Sequence, residues 1–175
     1  MGYVHDTAMA QFIPPNQFIF SAGTWTQTVA SNVWSMDRSA ADAAFTVYVP
    51  VLIPSNSVAL KGAKLLSIEV MYSIGTGACD DVTSFKLFKG TFQATAASGS
   101  GTLNTAAEVT AVSWDAGHDT AAERKAVDEH RAVCTLTTPV FIDNDEGYHL
   151  ELIFDAAANS VVKMFGAIVN YTLRV

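Results

Sequence analysis

A two-residue period runs through most of this chain and restricts its fold more than any other feature. Successive side chains on an extended strand point to opposite faces, so apolar/polar alternation marks a strand with one buried side. Phe45, Val47, Val49, Val51 and Ile53 share one side of such a run, against Thr46, Tyr48, Pro50 and Leu52. Pro50 lacks an amide donor, which places it at an edge or a bulge. Leu66, Ile68, Val70, Tyr72 and Ile74 line a face opposite Ser67, Glu69, Met71 and Ser73. Tyr148, Leu150, Leu152 and Phe154 alternate with His149, Glu151 and Ile153. Phe165, Ala167, Val169, Tyr171 and Leu173 alternate with Met164, Gly166, Ile168, Asn170 and Thr172.

Shorter runs at 24–29, 82–92, 109–114, 131–137 and 140–142 read the same way, and the small polar residues of 94–105 read as a surface loop. Thr120-Ala121-Ala122-Glu123 has the pattern of a capping box, in which hydroxyl and carboxylate satisfy the free amides of a helix start, and it predicts one short helix over about 120–130. A parallel sheet needs several helical crossovers, which this pattern does not supply. The expected fold is therefore all-β: an antiparallel β-sandwich, jelly-roll-like, with one short helix and an extended N-terminal arm.

The 175 residues suit one domain. Pro14-Pro15 sets off an arm, residues 1–15, from a sandwich body, residues 16–175. The arm carries Tyr3, Val4, Met9, Phe12 and Ile13, and such an apolar segment must fold back on its own sandwich or dock on a neighbouring copy. Residues 1–20 lack a basic n-region, carry Asp6 early and are broken by the two prolines, so no secretory signal peptide is expected. Asp6 also stands where a myristoylation signal has Ser or Thr.

Composition narrows the partners. Only 15% of residues are charged, while the chain holds 26 Ala and 17 Thr, so much of its surface is small or hydroxylic. Such faces avoid the several kcal/mol that each buried unpaired charge costs, and they suit contact between identical copies. The net charge of −7 and ten dispersed basic residues argue against nucleic acid, whose binding needs clustered Lys and Arg. The longest apolar runs, such as 45–53 and 161–169, stop well short of the roughly 20 residues that span a bilayer, so no membrane partner is expected.

The candidate chemistry is sparse. Asp143-Asn144-Asp145-Glu146-Gly147 clusters carboxylates as calcium loops do, but without EF-hand spacing, and Asp and Asn equally favour a tight turn. No metal and no cofactor is expected, and Asp80-Asp81 is read likewise. His5, His118, His130 and His149 show no ligand spacing and read as surface or rim residues. Cys79 and Cys134 match no zinc or redox spacing and read as buried free thiols. No G-x-S-x-G elbow or phosphate loop is present, so no enzyme is expected. Trp25, Trp34 and Trp114 suit a core or an interface, or a platform for stacking a sugar ring.

Asp119-Thr120-Ala121-Ala122-Glu123-Arg124, Thr137-Thr138-Pro139 with Asp143-Asn144-Asp145, and Gly166-Ala167-Ile168-Val169-Asn170-Tyr171-Thr172 resemble segments of β-sandwich proteins of phage-type and environmental origin, and the whole chain is similar in style. That resemblance brings no catalytic or binding residue with it. It implies a jelly-roll structural subunit of a virion or an extracellular filament. The expected function is non-enzymatic self-assembly through residues 1–15, with copies of the chain as partners and a glycan-binding or receptor-recognition module as the alternative.

Overall fold

The computed structural model describes residues 5–55, 62–92 and 104–174. The strands are β1 (Asp6–Ile13), β2 (Ile19–Phe20), β3 (Trp25–Ala30), β4 (Val33–Arg38), β5 (Ala43–Pro50), β6 (Ala63–Gly75), β7 (Asp81–Phe92), β8 (Asn104–Glu108), β9 (Val112–Trp114), β10 (Asp128–Phe141), β11 (Glu146–Ala156) and β12 (Val161–Arg174), with one helix, α1 (Ala121–Arg124). One sheet runs β3-β4-β12-β6-β10-β9, with β1 also on β12, and the other runs β2-β5-β11-β7-β8. The pairings described are antiparallel. The orders β4-β12-β6-β10 and β5-β11-β7-β8 interleave early and late strands across two sheets, which is the jelly-roll arrangement of two Greek keys.

Alternation explains why the sheets stack. Val47 and Val49 of β5, Leu150, Leu152 and Phe154 of β11, and Leu87 of β7 face Ile68, Val70 and Tyr72 of β6 and Val169 of β12, all buried. Phe154 stacks on Phe45 at 5.1 Å and meets the Tyr72 ring edge-on at 5.6 Å, which ties the two sheets together. Each such side chain contributes about 1.5–3 kcal/mol on burial. Pro50 ends β5 opposite His149, beyond the reach of β2, where its missing amide costs no ladder bond.

Three expectations need correction. The helix is one turn rather than ten residues: the Thr120 capping box forms, but no helix residue is buried, and Asp128 onward pairs with β6 from Ile74. The alternation of His130, Ala132 and Cys134 inward against exposed Glu129 and Arg131 overrides the helical signal. Phe165 does not share a face with Ala167, because a bulge between Met164 and Gly166 flips the phase; Val162 and Met164 are buried before it, and Ala167 and Val169 after it. A second irregularity, where Asn170↔Ser67 gives way to Tyr171↔Leu65, buries Leu65 and leaves Leu66 only half-buried.

Some elements were not anticipated. Ser31 and Asn32, with φ of 51° and 64°, form a two-residue turn that joins β3 to β4. Arg38 of β4 is 1% exposed. Its guanidinium donates to the carbonyls of Ala41 and Ala43 and lies 4.5 Å from the Phe45 ring centre, so it closes the corner into β5.

Candidate functional site

The arm residues fall on a strand. Pro14 is extended, and a single 3-10 turn at Pro15–Gln17 leads into the body. Asp6 to Ile13 pairs antiparallel with β12 over eight positions, from Asp6↔Arg174 to Ile13↔Ala167. Ile13 is 1% exposed, whereas Met9 is 42% and Phe12 50% exposed, and seven of the eight β1 residues are exposed. Tyr3 and Val4 lie outside the described residues. β4 takes the flank of β12 at Val162–Met164 and β1 takes the same flank from Ala167 onward, so the bulge at Gly166 separates the two docking stretches.

That bulge is the seat of β1. Gly166 has φ 138°, and a methyl group there would stand 2.7 Å from the Phe12 ring and 2.9 Å from the Ile13 carbonyl oxygen. A glycine inside a strand pattern signals such a close approach, so Gly166 was findable from sequence. The strand itself is poorly anchored. About eight ladder bonds at about 1 kcal/mol each and the burial of Ile13 at about 2 kcal/mol give about 10 kcal/mol. Ordering eight residues costs about 12 kcal/mol at about 1.5 each. β1 is held near balance.

A second cluster joins residues that show no sequence spacing. Asp115 Oδ2 accepts from His118 Nδ1 at 2.8 Å, His118 Nε2 lies 3.2 Å from His130 Nδ1, and His130 Nε2 donates to the Ala126 carbonyl at 3.0 Å. Both rings are 9% exposed, against their expected surface positions. The chain links the Asp115 carboxylate to the Ala126 carbonyl through both rings. Burial pushes the Asp115 carboxyl up, but the Val133 amide at 2.7 Å and the His118 ring outweigh it and hold it below the ordinary carboxylate range.

His130 stacks on Tyr72 at 4.6 Å, and the Tyr72 hydroxyl donates to the Arg124 carbonyl at 2.9 Å. Arg124 caps Phe85 and Trp114 and donates through Nε to the His118 carbonyl at 2.6 Å. The network thus clamps the α1 segment onto the sandwich. The one hydroxyl in these bonds, that of Tyr72, donates to the Arg124 carbonyl.

The remaining candidates are absorbed by the fold. Donor atoms of Asp143, Asp145 and Glu146 come within 4.8 Å of one another, but Glu146 is paired with Lys89 and accepts from the Tyr148 hydroxyl and the Asp143 amide. Trp25 stacks on Phe20 at 4.0 Å and donates to the Ala22 carbonyl, Trp114 packs on Phe85, and Trp34 is half-buried. Cys79 and Cys134 are buried free thiols. On the outer face of the second sheet, Ile19, Tyr48, Pro50 and His149 line a concavity of about 340 Å³. His149 stacks there on Phe88 at 5.6 Å, and burial lowers its pKa.

No family model and no curated protein matches this chain. Among solved structures it is similar to a family two carbohydrate esterase from Cellvibrio japonicus, with 7% identity and a TM-score of 0.38 over 98% of this chain. The chain spans 36% of that protein's length, and the likeness is too distant to bear on function.

Proposed function

We propose that this protein is a non-enzymatic jelly-roll subunit that assembles with copies of itself through residues 1–15, in a virion or an extracellular filament. The observation that carries the reading is β1, an eight-residue strand with seven exposed residues, held by one buried side chain and a backbone ladder. A strand so marginal in its own fold is available to a neighbour. The low share of charged residues supports the same reading, because contact between like surfaces then desolvates few charges. Deleting residues 1–13 is expected to reduce large species to monomers in light scattering and negative-stain microscopy. Assemblies that survive the deletion would refute the role of the arm.

A second reading rests on the aromatic concavity at Tyr48 and His149, which offers ring faces to a sugar. Retention on immobilised polysaccharide, lost in Tyr48→Ala and kept after deletion of residues 1–13, would favour that reading.

A further inference from the structure

We infer that β1 exchanges between copies: Asp6–Ile13 of one chain pairs with β12 of the next, in the same antiparallel register that it adopts on its own β12. This rests on the self-association proposed above and specifies its contact. The receiving surface is the flank of β12 from Ala167 to Arg174, and its occupant is fixed by the register Ala8↔Thr172, Ala10↔Asn170 and Phe12↔Ile168. Nothing in that ladder depends on the two strands belonging to one chain.

Three features favour exchange. Of the β1 side chains only Ile13 is buried, and on the neighbour it would re-enter an identical site while the ladder bonds re-form, so exchange replaces each contact with one of the same kind. Pro14 holds the exit extended and Pro15 opens the 3-10 turn that follows, and their fixed φ limits the conformational freedom lost when the strand docks again. The glycine seat accepts Phe12 and the Ile13 carbonyl by shape alone, whichever chain supplies them. All eight residues, about 27 Å of extended chain, lie in the neighbour's ladder, so Pro14 is the hinge and the two subunits abut there.

The test is a disulfide between chains. Ala8→Cys and Thr172→Cys are placed on separate, differently tagged chains that are co-expressed and then oxidised. Paired positions across an antiparallel ladder lie about 4.5–5.5 Å apart at Cα, within disulfide range. Exchange predicts a linked species carrying both tags, lost when Gly166→Ala is added to the Thr172→Cys chain. The double variant in one chain, oxidised at high dilution, should close internally, which verifies that the pair can bond. If assemblies form and only the double variant links, exchange is refuted while self-association stands. If neither assemblies nor linked chains appear at any concentration, self-association is refuted and exchange with it.

Discussion

Gly166→Ala tests the energetics of β1 most directly. The substitution imposes a side chain at φ 138°, a backbone region that costs about 1–3 kcal/mol for anything but glycine. It also sets a methyl group 2.7 Å from the Phe12 ring, where carbon contacts ordinarily rest at about 3.5–4.0 Å. Phe12 is half exposed and can swing away. The Ile13 carbonyl, 2.9 Å from the new methyl group, cannot retreat without parting the ladder at Ile13↔Ala167.

Two outcomes compete. If β1 stays, strain and crowding together approach 3–5 kcal/mol, equivalent to about 10 °C or more at about 2–4 °C per kcal/mol for a chain of this size. If β1 leaves, the cost cannot exceed what β1 contributes, and the balance of about 10 against 12 kcal/mol puts that contribution near zero. Release therefore wins. The expected result is a melting temperature lowered by less than about 4 °C, the equivalent of about 1 kcal/mol, with hydrogen exchange at the β1 amides accelerated to the rate of an unstructured segment. Gly75→Ala serves as the control, since its methyl group would meet nothing nearer than the Val161 carbonyl at 4.0 Å, and it should leave both readouts unchanged. A loss of 15 °C or more with the β1 amides still protected would refute the claim that β1 is marginal.

Three further outcomes are expected. His130→Phe keeps a ring on Tyr72 but leaves the Ala126 carbonyl and His118 Nε2 without their partner; at about 1–3 kcal/mol per buried unsatisfied group the melting temperature should fall by about 5–15 °C, and a shift under about 2 °C would count against the clamp. The Asp115 carboxyl is held below its unfolded value, so its contribution is present above the ordinary carboxylate range and lost as pH falls through the lowered value; urea titrations from pH 7 to pH 2 should show a shallower acid loss in Asp115→Asn. Burial pushes the Cys79 thiol up to about 11 and the Cys134 thiol up to about 12, so both should react with an aromatic disulfide reagent at pH 8 only on unfolding, and rapid labelling of either in the native protein would contradict their packing.

Which parts of this fold could be read from the sequence follows from where each strand gets its burial. β5, β6 and β11 are covered on one face by the opposite sheet, so Val47, Ile68 and Leu152 leave a visible period of two. β1 and the far end of the β3–β4 hairpin extend past that cover, with Val29 and Val33 exposed at 68% and 51% and Met9 at 42%. The alternation at 24–29 still marks β3, whose Trp25 packs against the core, but in β1 only Ile13 is buried, so its pairing leaves no period of two. The bulge at Gly166 defeats the period for a related reason: one extra residue moves Phe165 to the other face while leaving the apolar count of the run unchanged. His118 and His130 fail to show themselves because their contact joins a turn after β9 to the start of β10, and twelve residues of spacing match no ligand motif. The same reasoning separates the two kinds of polar feature in the molecule. Asp143, Asp145 and Glu146 are conspicuous because they adjoin in sequence, yet the Lys89 pair and the turn bonds account for Glu146. The Asp115–His118–His130 chain is inconspicuous, yet both of its rings are buried and each ring nitrogen has a partner. Long-range contact, rather than local clustering, distinguishes the residues that tie the sheets together from β1, which buries one side chain.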